Sequence, residues 1–93
     1  MLTKHPEPSL FLQPKHVSLE AEGTYWIPFV FGAQRADGTW EALIEFRPLD
    51  DSAVRVTERE TTQPNRGAVE YWVGGLEPIY FEGAFDRANE LSA

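Results

Sequence analysis

Residues 24–48, TYWIPFVFGAQRADGTWEALIEFRP, decide the fold of this chain, because they read as two β-strands joined by a tight turn. Asp37-Gly38 is a strong hairpin signal, since a type I′ turn needs positive φ at both central residues. With these two residues as the loop, side-chain alternation places four cross-strand pairs on one nearly apolar face. The pairs are Arg35 with Trp40, Ala33 with Ala42, Phe31 with Ile44, and Phe29 with Phe46. A slip of one residue would mix the two faces, so the pattern predicts this register.

Shorter strands are predicted on both sides of the hairpin. Period-two alternation of apolar residues indicates strands at residues 16–22, 53–60 and 68–73. Residues 61–67, TTQPNRG, read as a loop, because Pro and Gly favour turns. Within the first hairpin strand, Pro28 removes one backbone donor, which indicates an edge position or a bulge.

The carboxy-terminal segment, residues 77–91, allows two interpretations. Its apolar residues fall at helical spacing: Phe81, Ala84, Phe85, Ala88 and Leu91. Pro78 suits the first position of a helix. Against a single helix, Gly83 costs a helix interior about 1 kcal/mol, which leaves open a short strand at residues 78–82 and a helix from Ala84. The spacing favours the longer helix. We therefore expect an α+β fold, an antiparallel meander of four to five strands with a carboxy-terminal helix packed on the aromatic face.

Composition indicates one folded domain. The 93 residues are 42% hydrophobic and 13% aromatic, which is typical of a globular protein with a single core. Prolines punctuate residues 1–15, so we expect an extended Pro-rich arm there and the α+β domain at residues 16–93. Residues 10–12 could dock that arm on the sheet.

Charge and cysteine content narrow the expected partners and location. The net charge of −7 disfavours binding to nucleic acids and to anionic membranes, since both need basic side chains. The chain has no cysteine, which excludes disulfides and permits a reducing compartment. The apolar run at residues 9–12 is too short for a signal peptide or a membrane span, so we expect a cytoplasmic protein.

The sequence offers little material for catalysis or for cofactor binding. The two histidines, His5 and His16, are eleven residues apart, and nothing directs them to a common metal. Carboxylates recur at alternate or nearby strand positions, as in Glu20/Glu22, Glu41/Glu45 and Glu58/Glu60. Such pairs can serve acid–base chemistry, but on antiparallel strands they are typical of a solvated face. We expect no enzyme activity, no cofactor and no metal site.

Apolar residues on the second face of the predicted sheet form the candidate interaction patch. With the register above, five residues project away from the main aromatic face: Trp26, Pro28, Val30, Leu43 and Trp72. Soluble monomers seldom leave a large contiguous apolar patch open. Three covers are possible: the amino-terminal arm, a second subunit, or another protein or apolar ligand.

The leading functional hypothesis is a small non-catalytic protein-interaction module that binds either another copy of itself, as a homodimer, or another protein. One alternative is a domain that binds a small apolar ligand between sheet and helix. Another is an acidic inhibitor of a nucleic-acid-binding protein, which requires carboxylates arrayed like phosphates.

Overall fold

The predicted hairpin forms the centre of one antiparallel sheet in the computed structural model, which describes residues 10–91. The elements are β1 (Leu10–Leu12), β2 (Leu19–Ala21), β3 (Thr24–Gln34), β4 (Trp40–Pro48), β5 (Arg55–Val56), β6 (Thr61–Gln63), α1 (Arg66–Gly74), α2 (Pro78–Arg87) and β7 (Asn89–Glu90). The strand order is β1-β3-β4-β5-β7; β2 also pairs with β3, and β6 also pairs with β4. An antiparallel sheet with a carboxy-terminal helix confirms the predicted α+β class.

The hairpin loop has three residues rather than the predicted two. The Arg35 N–H donates to the Thr39 carbonyl at 2.6 Å, and the Gly38 N–H donates to the Arg35 carbonyl at 2.9 Å. Gly38 has a φ of +91°, as the last residue of such a loop requires. The Asp37 carboxylate accepts hydrogen bonds from the Thr39 side chain and backbone, which hold the pKa of Asp37 below its usual value. The Asp-Gly signal thus located the turn correctly and misjudged its length.

The extra loop residue shifts the predicted register by one, so that part of the prediction is wrong. Val30 lies opposite Ile44, and Phe31 lies opposite Leu43. Because side chains alternate, a shift of one residue exchanges the two faces of β3 relative to β4. The buried residues of β4 are those expected, but they share their face with Trp26, Pro28 and Val30 instead of the phenylalanines.

Both helices pack on this inner face and complete a two-layer domain. The core consists of one cluster of buried side chains from the sheet and the helices: Leu10, Trp26, Val30, Trp40, Ala42, Ile44, Phe46, Val69, Val73, Phe81, Ala84 and Phe85. The Phe85 ring makes edge contacts with Trp26 and Phe46, with ring centroids 4.9 and 5.3 Å apart. The core therefore joins α2 directly to the two central strands.

Pro28 lies where the edge partner of β3 is interrupted. β2 pairs with residues 24–26 and β1 pairs with residues 30–32, and between them β3 has no edge partner among residues 10–91. The Leu49 N–H donates to the Tyr25 carbonyl at 2.9 Å. Tyr25, an odd-numbered residue, thus bonds on the β4 side. Because ladder bonds alternate between the two sides of a strand, the even-numbered residues of β3 direct their N–H and carbonyl groups toward β1 and β2. Pro28 has no N–H to offer there, which explains the break.

The predicted arm joins the sheet from Leu10 onward. β1 pairs with β3, and Leu10 is 3% exposed within the core. The domain therefore includes residues that the sequence assigned to the arm, while residues 1–9 lie outside the described part of the chain. The strand predicted at residues 16–22 is present as the shorter β2.

The opposite edge differs more from the prediction. Of residues 53–60, only Arg55 and Val56 pair with β4, and the strand resumes at β6 in the segment predicted as a loop. Between them the buried Thr57 hydroxyl accepts a hydrogen bond from the Ile44 N–H at 3.0 Å. This side-chain bond satisfies a backbone donor where the two strands separate.

Helix α1 replaces the strand predicted at residues 68–73. Val69, Tyr71 and Val73 alternate as in a strand, yet the two valines are also one helical turn apart and both are buried. Asn65 begins the helix, since its side chain accepts a hydrogen bond from the Ala68 N–H at 2.8 Å. Helix α2 confirms a helix in the last segment and has Pro78 as its first residue, but it ends at Arg87. Asn89 and Glu90 form β7, and Leu91, which was predicted on the buried side of the helix, is 57% exposed.

Candidate functional site

The five residues of the predicted patch do not form one surface. Trp26 is 1% exposed and Val30 is 0% exposed, and Pro28 is fully buried beside them, all under the helices. Trp72 is half-buried on α1, where its ring meets Tyr80 edge-on at 5.8 Å. Leu43 lies on the other side of the sheet, opposite Phe31. The α-helices therefore cover most of the patch, because the register shift turned it inward.

The outer side of the sheet carries a different apolar cluster, which we name the phenylalanine face: Phe11, Phe29, Phe31 and Leu43. Phe11 stacks on Phe29 with ring centroids 5.4 Å apart and leans on Phe31 at 4.9 Å. Phe11 is 50% exposed, and the other three side chains are half-buried. Neither of the two helices in residues 10–91 packs on this side, since both contribute to the core cluster on the inner face.

Three neighbouring strands position the phenylalanine face. Phe11 on β1 lies directly opposite Phe31 on β3, which in turn lies opposite Leu43 on β4. Each alternates with buried core residues, so the strands cannot rotate the rings inward without expelling Val30 or Ile44. A three-residue hairpin loop predicts this grouping from the sequence alone.

An arginine at one end partly covers the rings. The Arg47 guanidinium lies 4.3 Å from the Phe29 ring centroid and 5.9 Å from that of Phe11. Its Nε donates to Glu45 Oε1 at 2.7 Å, which fixes the guanidinium over the aromatic surface. The Arg47 side chain is 47% exposed, so it offers both a planar cation and an apolar stem to an approaching molecule.

A second charged group lies at the other end of the face. Phe31, Leu43, Glu41 and Arg59 line a small hollow there. Glu41 Oε1 lies 3.8 Å from Arg59 Nη1 and accepts a hydrogen bond from Arg35 at 3.3 Å. The face thus has an apolar centre with mixed charge at both ends, a composition typical of protein-binding surfaces.

A separate cluster of titratable groups joins the second sheet edge to α2. Tyr80 Oη donates to Glu60 Oε1 at 2.5 Å, and Arg87 donates to both Glu60 oxygens at 2.7 and 3.2 Å. Burial raises the pKa of Glu60, but the hydrogen bonds from Arg87 and Tyr80 outweigh it and leave the pKa below its ordinary value. Burial, together with the nearby Glu60 carboxylate, raises the pKa of Tyr80 to about 12. A bonded carboxylate and a protonated phenol suit a structural role better than acid–base chemistry at neutral pH.

Glu60→Gln is expected to lower the free energy of unfolding by about 1–3 kcal/mol at neutral pH, because it removes a charged acceptor from two donors. Since the folded-state pKa of Glu60 lies below 4.5, its stabilising contribution is complete above pH 4.5 and disappears as the pH falls through that lower pKa. The difference between the two proteins should therefore shrink in acid. Urea unfolding across this pH range measures it. Glu82 is exposed, so Glu82→Gln is the control and should change the free energy of unfolding by less than about 0.5 kcal/mol. If the wild type and Glu60→Gln lose the same free energy of unfolding in acid, so that their difference stays constant with pH, the assigned role of Glu60 is wrong.

The other predicted carboxylate pairs are separated by their ion pairs. Glu41 and Glu45 bind different arginines, and Glu22 binds Arg55 rather than lying beside Glu20 in a shared site. His16 is exposed, and His5 lies outside the described residues. Within residues 10–91 no group of three or more His, Asp or Glu side chains could hold a metal ion. In the same part of the chain no helix is long and apolar enough to span a membrane.

Comparison of the chain with known proteins gives no information about the function of the phenylalanine face. No family model matches the chain, and neither the curated proteins nor the solved structures contain a significant match. The geometry of the phenylalanine face is therefore the basis for proposing a function.

Proposed function

We propose that this protein is a small non-catalytic interaction module that binds a protein through the phenylalanine face. The observation that carries the proposal is the contiguous group of Phe11, Phe29 and Phe31, which neither helix in residues 10–91 covers. Exposed aromatic clusters ringed by charge are typical of protein-binding sites, and aromatic and arginine side chains supply most of the binding energy in such sites.

The proposal includes a cytoplasmic location. The absence of cysteine is compatible with a reducing compartment, and an acidic chain of this composition suits an aqueous one. Nucleic acids and anionic membranes are not proposed as partners, because the chain carries a net charge of −7.

The two alternative functions have less support. A ligand site between sheet and helices needs a cavity there, yet the rings of Trp26 and Phe85 are in edge contact in that layer. A phosphate-like array needs carboxylates spaced like phosphates on one surface, and five of the glutamates are instead paired with arginines: Glu22, Glu41, Glu45, Glu60 and Glu70. Neither alternative is proposed.

Site-specific photo-crosslinking in cells that make the protein tests this function. A benzophenone side chain at position 11 should form covalent adducts with a protein, and Phe31→Glu should suppress them, since a buried charge at the centre of the interface is costly. Position 71 on α1 is the matched control, because Tyr71 is 87% exposed on the opposite layer. Adducts at position 11 that persist with Phe31→Glu, or no adducts there, would contradict the proposal.

A further inference from the structure

We infer that the occupant of the phenylalanine face is a second copy of this chain, related by a two-fold axis and packed sheet against sheet. The inference rests on the proposed function and names its partner. Two-fold dimers use the same patch on both subunits, so such a patch must be complementary to itself in shape and charge.

The apolar centre of the face can pack against an identical surface. The exposed Phe11 ring and the half-buried Phe29, Phe31 and Leu43 present only apolar groups, which gain from contact with an identical apolar surface. Aligned sheets pack about 10 Å apart through interdigitating side chains. In the described domain the helices lie on the other side, so they leave room for a second sheet.

The charges around the face can pair with those of a second copy. Arg47 and Glu45 lie at one end, and Arg35, Arg59 and Glu41 lie at the other. A two-fold axis that runs between the two sheets, perpendicular to the strands, places each end of one copy over the opposite end of the other. Arg47 of one copy then approaches Glu41 of the other. A partner charged with one sign alone would leave the other sign unpaired.

Overall charge favours this face over others for self-association. The three arginines and two glutamates at its ends sum to +1, whereas the whole chain carries −7, so the remaining surface carries −8. Copies that met through that remaining surface would repel one another, while on the phenylalanine face the local charge nearly balances.

The size of the face sets the expected strength. Three strands spaced about 4.8 Å apart, and about seven residues at 3.3 Å each, give a flat footprint of about 330 Å² per copy. A standard specific interface buries about 800 Å² of accessible surface per partner, so a reversible dimer is expected rather than an obligate one.

Sedimentation equilibrium of the full chain, from about 1 µM to about 1 mM, covers the range expected of such a dimer. The wild type should pass from monomer to dimer. Raising the salt from about 0.05 M to about 0.5 M should strengthen the dimer, because it screens the net repulsion between two chains of charge −7 more than it weakens the exposed ion pairs at the ends, and it leaves the apolar contact intact. Phe31→Glu should weaken association at least about 10-fold. Tyr71→Glu on α1 should leave it unchanged, and circular dichroism checks that each variant folds.

Phe11→Glu provides a second variant if Phe31→Glu does not fold, since Phe11 is half exposed at the sheet edge. A wild type that stays monomeric at every concentration and both salt levels would overturn the dimer. So would a Tyr71→Glu variant that loses association as strongly as the face variants. If the monomeric protein still forms Phe31-dependent adducts from position 11 with another protein, the second copy is refuted while the proposed function stands. If it forms none, both fail.

Discussion

Replacing Phe85 with alanine is expected to lower the free energy of unfolding by about 3–5 kcal/mol. The Phe85 ring is 5% exposed and touches Trp26 and Phe46, the largest fully buried side chain of each central strand. Its removal leaves a cavity between the layers that the surrounding backbone cannot fill by small adjustments. The same ring lies beneath the Arg55 guanidinium at 4.6 Å, so the variant also loses that contact. Urea unfolding followed by tryptophan fluorescence measures the change.

Ile79→Ala on the same helix is the matched control. Ile79 is 74% exposed, so its truncation should change stability by less than about 0.5 kcal/mol. A loss below about 1 kcal/mol for Phe85→Ala would show that α2 does not dock on the sheet as described.

Val30→Glu is expected to abolish folding or to cost more than about 4 kcal/mol, because it places an unpaired carboxylate in the core. Val30 is 0% exposed between the sheet and the helices. Its neighbour Phe31 projects to the outer face and is half-buried, so Phe31→Glu should cost no more than about 2 kcal/mol in the monomer.

These two adjacent substitutions distinguish the two registers of the hairpin. A two-residue loop places Phe31 in the core and Val30 outside, which reverses the expected order of the two stabilities. Thermal unfolding at protein concentrations that keep the chain monomeric compares them. Equal losses, or a larger loss for Phe31→Glu, would be incompatible with the three-residue loop and with the phenylalanine face.

The candidate site could be predicted only in part. Leu43 lies on the side of the sheet that alternation along β4 predicts for it, opposite Phe31. Trp26, Pro28 and Val30 were assigned to the wrong side, because the first hairpin strand is apolar on both faces. Trp72 was assigned to a strand and lies on α1. Alternation then groups the residues correctly without indicating which group faces the helices.

Local sequence determined the features that depend on near neighbours. Asp37-Gly38 specified the position of the turn, the alternation of β4 specified its buried side, and Pro78 with the Phe81/Ala84/Phe85 spacing specified α2. Tertiary structure decided between alternatives wherever the local pattern fits two structures equally well. Val69 and Val73 suit a strand or a helix, and the fold selects the helix because both valines then reach the core. The register of β3 likewise depends on which of its two apolar faces packs under the helices, and that face carries Trp26 and Val30.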